Sequence, residues 1–206
     1  MYTFENDLQA KGYQYIAGCD EVGRGPMAGP VVCAAVILDP NVLIEGLYDS
    51  KALSEKKRVG LYHQIKQDAL SYAVVFISPA MVDEVNVYQA SKQGMTMAVK
   101  QLKQDADFVL VDAMELTQLK TPQLNLIKGD QKSASIAAAS ILAKVERDKY
   151  MEEMSVKYPG YGFEKHKGYP TVLHKQKLCD LGPCEIHRKT YKPVKDCLQK
   201  QLCLEV

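Results

Sequence analysis

Two regimes of hydrophobic patterning alternate along the chain. Tyr15 to Asp20 and Val31 to Leu38 are β-rich apolar runs. Between them lies a turn dense in glycine and proline, Gly23-Arg24-Gly25-Pro26-Met27-Ala28-Gly29-Pro30, a spacing that predicts adjacent antiparallel strands. Tyr72 to Ile77 reads as a third strand, Phe108 to Val111 as a short buried one ending at Asp112, and Leu124 to Ile127 as another. Elsewhere the period is helical. Ser54 stands as an N-cap before a periodic stretch to about Ala69. Pro79 to Leu102 is helical with a break near Asn86. From Lys132 to about Lys157 the pattern is strongly helical, and around Ile136-Ala137-Ala138-Ala139 it is apolar on nearly every side. Such a helix belongs in a core, against a sheet. After Tyr158-Pro159-Gly160 come short helices and loops, with a last helix from Val194 to Leu202.

Strands first, then strands interleaved with helices, imply an α/β fold with a mixed sheet. The expected organisation is a core over residues 1–158 and a basic, loop-rich helical appendage over 159–206, packed on the core. No repeat, low-complexity stretch or linker interrupts it. A chain of 206 residues suits one such domain, and 47% hydrophobic with 25% charged residues excludes a disordered polymer. No apolar run reaches the roughly 18 residues that span a bilayer. Met1 to Gln14 lacks the basic-then-apolar order of a signal peptide, so the cytoplasm is the expected location.

Six cysteines without a Cys-x-x-Cys, two of them inside strand runs, read as reduced structural thiols. The zinc alternative, Cys179, Cys184 and His187, lacks the usual close ligand pairs. Net charge is +1, but it is unevenly spread: residues 1–116 hold 10 Lys and Arg against 15 Asp and Glu, the rest 16 against 10. That asymmetry suits either an acidic metal site facing a basic nucleic-acid surface or a solvated basic C-terminal region.

Acids at strand ends carry the chemistry. Asp20 and Glu21 are adjacent at the end of an apolar strand, where burial is costly unless a cation neutralises them. Asp112 ends a second strand, and Asp130 follows Lys128-Gly129 near the start of the core helix. Singly, each has a plain explanation, as an exposed strand end or a helix N-cap. Together, without a convergent histidine set, they suit a hard cation, Mg²⁺ or Mn²⁺. Gly23-Arg24-Gly25 directly follows the acid pair and reads either as a tight turn or as a backbone and guanidinium approach to phosphate. Asp49-Ser50-Lys51 is equally a loop or a hydroxyl and cation on a nucleic-acid backbone. Asp148 is a fifth acid near the same helix.

Cys19 to Val32, with Asp20-Glu21 and Gly23-Arg24-Gly25, resembles the opening block of bacterial ribonuclease HII. Asp49-Ser50-Lys51 with Leu53-Ser54, the Val111-Asp112 strand end, and Lys128-Gly129-Asp130 followed by Ile136 to Ile141, Ala143-Lys144-Val145 and Arg147-Asp148 resemble its next blocks. Lys167-Gly168-Tyr169-Pro170-Thr171, His174 and His187-Arg188 are similar to its C-terminal pattern. The blocks stand in family order from Ala17 to about Tyr191.

The resemblance implies an RNase H-like fold, a mixed five-stranded sheet flanked by helices. It implies Asp20, Glu21, Asp112 and Asp130 as the catalytic, metal-binding set for Mg²⁺ or Mn²⁺, Asp130 rather than Asp148 by motif position. Gly23, Arg24 and Gly25 then contact the ribonucleotide 2′-hydroxyl and neighbouring phosphate, a group by which RNA is told from DNA. Tyr169 packs on the sugar at an RNA–DNA junction, and Ser50 and Lys51 hold phosphates; Lys144 and Arg147 read equally as phosphate contacts or as core-edge residues. The implied reaction is hydrolysis 5′ to a ribonucleotide by a metal-activated water, leaving 5′-phosphate and 3′-hydroxyl ends. Substrates are RNA–DNA hybrids and ribonucleotide-containing duplex DNA, in repair and primer removal, with no membrane partner and a monomer as the working unit. Only 16 residues precede Ala17, so no separate N-terminal substrate-binding domain is expected, which with Gly23-Arg24-Gly25 points away from ribonuclease HIII. Two rivals remain: a catalytically silent RNA–DNA binding module, and another two-metal nuclease or strand-transfer enzyme of the same fold.

Overall fold

The computed structural model describes residues 1–50 and 52–204, with side chains as far as Gln199. Lys51, expected to hold phosphate, lies outside the described residues. Strands β1 (Ile16–Val22), β2 (Val31–Leu38) and β3 (Ala69–Ile77) pair antiparallel in succession. Strands β4 (Phe108–Asp112) and β5 (Gln123–Leu126) add in parallel on the other side of β1, giving the order β3-β2-β1-β4-β5. This is the mixed five-stranded sheet expected. Strand β1 outruns its expected end: Asp20 and Glu21 sit inside the strand, paired across from Ala34 and Cys33, rather than at its last residue.

A sheet covered on both faces needs strands that are apolar throughout, and β2 shows why. Val31, Cys33, Ala35 and Ile37 pack on one face; Val32, Ala34 and Val36 pack on the other. Helix α1 (Thr3–Ala10) begins the chain, and α2 (Glu55–Asp68) starts at Ser54, whose side chain accepts from the Lys57 amide. Helices α3 (Pro79–Val85) and α4 (Val87–Lys100) cover the first face. They part at Asn86, which takes φ 67° and caps α4 through its side chain. Helix α5 (Ala134–Lys157) crosses the second face, its apolar first half against β1 and β2. Its N-cap is Ser133, whose hydroxyl accepts from the Ile136 amide at 3.2 Å, so Asp130 is not the cap of this helix. Asp130 lies instead in a single turn at Gly129–Gln131, before α5.

Beyond α5 come α6 (Phe163–His166), α7 (Val172–Leu181) and α8 (Lys192–Leu204). They close two small apolar clusters over the turn that follows β1. Ala28 packs with Met151, Tyr161, Phe163 and Ile186, and Met27 packs with Leu178, Val194 and Cys197. Among the described residues, Cys19, Cys33, Cys179, Cys184 and Cys197 are free thiols, and no helix is long and apolar enough to cross a membrane.

Candidate active site

Strand register builds the acid cluster. Cys19 pairs with Val111 across the parallel strands β1 and β4, which puts Asp20 alongside Asp112 at the same sheet edge. Side chains alternate along a strand, so Asp20 leaves on the α5 side with Val22, and Glu21 on the α4 side with Cys19. Even so, Asp20, Glu21 and Asp112 each bring a carboxylate oxygen within 4.8 Å of the other two. Among the described residues no other set of three such groups could hold a metal ion. Cys179, Cys184 and His187 therefore do not form the zinc alternative; Cys179 is exposed, while Cys184 Sγ lies 3.2 Å from His187 Nδ1.

Three like charges this close need an explanation. Burial first, then Glu21 and Asp112, raise the Asp20 carboxyl well above the usual carboxylate range. Burial pushes Glu21 up to about 7, although the Arg24 guanidinium, 3.2 Å from Oε1, opposes the rise. Glu21 Oε2 is buried with no hydrogen-bond partner. An orphaned oxygen beside two further carboxylates is the donor set a hard cation satisfies. Asp112 is oriented by the Gly129 amide, which donates to its Oδ1 at 2.6 Å. That bond ties the β4 edge to the Gly129–Gln131 turn, so Asp130 borders the same groove without joining the tight trio.

The Gly23–Pro30 turn is held from behind by two buried arginines. Arg188 donates to the carbonyls of Gly23 at 2.7 Å, Arg24 at 3.0 Å and Gly29 at 2.8 and 3.0 Å. Arg147 donates to Ala28, Pro30 and Lys167 carbonyls at 2.9 to 3.1 Å. Both side chains are fully buried. Arg147 is therefore not a phosphate contact, and Lys144 is spent on Asp148 at 2.6 Å. Asp148 accordingly stands apart from the acid trio. In a planar trans peptide the N–H points opposite the C=O. With the Gly23 and Arg24 carbonyls drawn inward, the Arg24 and Gly25 amides face the groove. Gly23 takes φ 98°, and a Cβ there would lie 2.3 Å from Arg147 Nε, so only glycine fits.

Tyr169 closes the groove. The residue is 40% exposed and its Cε1 lies 3.6 Å from where a Cβ on Gly25 would be. Asp20, Glu21, Gly23, Arg24, Gly25, Asp112, Asp130 and Tyr169 thus share one cleft. Ser50 does not. It is fully buried with its hydroxyl 2.9 Å from that of Ser140, itself a hydrogen-bond partner of the Asp20 carboxyl. Its loop still neighbours the acids, since Gln131 Nε2 donates to Asp49 at 3.3 Å. Sequence reasoning left Arg188 and the histidines below Tyr169 without a role. The only hint was that several stood inside the C-terminal blocks.

The sequence pattern of the ribonuclease HII family matches residues 17–194. Ribonuclease HII of Bacillus mycoides (strain KBAB4) is 52% identical over 200 residues, covering 97% of this chain and 77% of that protein. The fold is similar to that of ribonuclease H2 from Pyrococcus horikoshii OT3, with TM-score 0.77 at 24% identity over 91% of this chain and 98% of that one. It is also similar to Bst-RNase HIII in complex with Mn²⁺, with TM-score 0.66 at 19% identity over 90% and 70% of the two chains. A match over nearly the whole length, on a fold that gathers the matched acids at one sheet edge, means that the chain belongs to the ribonuclease HII family and is an endonuclease of the ribonuclease H type.

Proposed function

We propose that the chain hydrolyses RNA paired to DNA and cuts on the 5′ side of single ribonucleotides embedded in duplex DNA, leaving 5′-phosphate and 3′-hydroxyl ends. The observation that carries this reading is the convergence of three carboxylates within 4.8 Å in the cleft that Gly23-Arg24-Gly25 and Tyr169 also line. Asp20, Glu21 and Asp112, with Asp130 at the border, would hold two divalent cations, Mg²⁺ or Mn²⁺. Such ions supply an activated water and neutralise the leaving 3′ oxygen. The rest falls to the chain's own groups. The Arg24 and Gly25 amides meet the 2′-hydroxyl and adjacent phosphate, which a DNA strand cannot match on the sugar. Tyr169 packs on the neighbouring sugar, and Lys51 takes a phosphate. Residues 159–206 act as the appendage that brings Tyr169 to the core. A monomer is the working unit in this reading, in ribonucleotide repair and primer removal.

The test is a cleavage assay on labelled duplex DNA carrying one ribonucleotide, alongside an RNA–DNA hybrid and an all-DNA duplex, with Mg²⁺, Mn²⁺ or EDTA. The expected result is a cut 5′ to the ribonucleotide that needs metal, spares all-DNA and disappears in Asp20→Asn. Equal cutting of all-DNA duplex would replace this reading with a general nuclease. Binding without cutting would replace it with a recognition module.

A further inference from the structure

Beneath Tyr169 three imidazoles are buried together, and none has a place in the reaction just described. His166, His174 and His187 are 8%, 0% and 2% exposed. The rings of His166 and His174 stack at 4.1 Å, and Phe163 meets both edge-on. Each ring nitrogen that bonds to a carbonyl must carry a proton, because a carbonyl only accepts. That rule assigns the tautomers in turn. His174 Nδ1 lies 2.9 Å from the Tyr169 carbonyl, so it is the N–H, and Nε2 of the same ring is left as an acceptor. His187 Nε2, 3.1 Å away, then donates to it. His187 Nδ1 is left to accept, and the Cys184 amide donates to it at 3.0 Å. His166 follows the same logic: Nε2 donates to the Tyr161 carbonyl and Nδ1 accepts from the Gly168 amide. A proton added to either partner of the 3.1 Å contact would set two N–H groups against each other. Burial independently lowers His174 and His187 to about 4, so both are neutral at pH 7.

The chain of donors ends on the residue that lines the cleft. The Tyr169 amide donates to the His166 carbonyl at 2.9 Å, its carbonyl accepts from His174, and Lys167, two residues before it, is held at φ 49°. We propose that His174, fixed by His187, is a positioning residue that sets where Tyr169 stands over Gly25, and so governs how the ribonucleotide-bearing strand is held. The proposal rests on the reading of Tyr169 given above.

Two experiments test it. Imidazole ¹⁵N NMR of the full chain reads the tautomers directly: Nδ1–H is expected for His174 and Nε2–H for His187, both neutral at pH 7. A protonated or reversed pair overturns the relay. Kinetics on duplex DNA with one ribonucleotide then read the coupling. His174→Leu should raise KM about tenfold with kcat within about threefold, as loss of strand positioning would. His174→Asn, whose amide N–H stands in for Nδ1–H, should recover most of that loss. The double variant with Tyr169→Ala should be no worse than Tyr169→Ala alone, because both changes remove one interaction. Additive losses, or no recovery by Asn, would leave His174 a purely structural residue. A wild-type KM for Tyr169→Ala would instead overturn the reading of Tyr169, and the proposal with it. Should His174→Leu fail to fold, the Asn variant and the spectra still decide.

Discussion

Glu21 engages Arg24 with one carboxylate oxygen and buries the other without a partner. Its carboxyl is raised from 4.5 to about 7, by burial first and then by Asp112, with Arg24 opposing. Between those values the folded chain binds a proton that the unfolded chain does not. Stability from this group is therefore full below pH 4.5 and is lost as pH rises through about 7. Glu21→Gln removes the penalty while keeping the shape. In EDTA its stability advantage over the wild type should grow from pH 5 to pH 8, reaching on the order of 3 kcal/mol, since a tenfold difference in proton affinity between folded and unfolded chain is worth about 1.4 kcal/mol. Mn²⁺ should erase the advantage by stabilising only the wild type. Chemical denaturation at each pH measures it, and a difference that does not change with pH would mean that Glu21 is solvated. The acids themselves were legible as residue types at β-strand positions. Their separate protonation demands were not, because those depend on burial and on Asp112, 91 residues away in the chain.

At the scale of elements, the site depends on how closely α5 lies on β1. Gly18 has no side chain, and a Cβ there would stand 2.1 Å from the Ser135 carbonyl carbon. Backbone cannot yield as a side-chain tip can, so Gly18→Ala must push α5 off the strand that carries Asp20. A destabilisation of at least 2 to 3 kcal/mol, roughly that of an overpacked core, is expected by thermal melting, with cleavage reduced even at low temperature. The same change made at exposed Gly60, where nothing lies within 4 Å, should be nearly silent or stabilising. The patterning announced β2, the Asn86 break and the apolar half of α5, because each is a local signal. It did not announce α1, whose eight residues are too few and too mixed to show a period. Nor did it show that Glu5 of α1 reaches the start of α5, accepting from Ser133 and Ser135 hydroxyls at 2.6 and 2.7 Å and the Ser135 amide at 2.9 Å. A buried carboxylate at a helix N-terminus is favoured by the helix dipole, but only the fold brings those residues together.

Across the whole molecule, Arg188 is what joins the C-terminal helices to the catalytic edge. It reaches back 165 residues to Gly23 and also holds Arg24, Gly29 and the Tyr191 hydroxyl. Such a link has no local signature: in the chain it is one basic residue in a basic region, and only the planar fork of a guanidinium can serve several carbonyls at once. Arg188→Lys tests this, because it keeps the charge and loses the fork. An ammonium on a flexible stem cannot face the Gly23, Arg24 and Gly29 carbonyls together, so buried acceptors go unsatisfied at about 1 to 3 kcal/mol each. The turn then loses the constraint that aims the Arg24 and Gly25 amides into the cleft. The expected outcome is a clear drop in melting temperature together with a fall in kcat/KM on ribonucleotide-containing duplex, measured where the variant is fully folded. Lys144→Ala is the contrasting case. It breaks the pair with Asp148 on α5 and should leave kcat/KM nearly unchanged, since the two side chains are spent on each other. If Arg188→Lys instead matched the wild type in both stability and kcat/KM, charge alone would hold the turn, and the directed hydrogen bonds would not be what shapes the cleft.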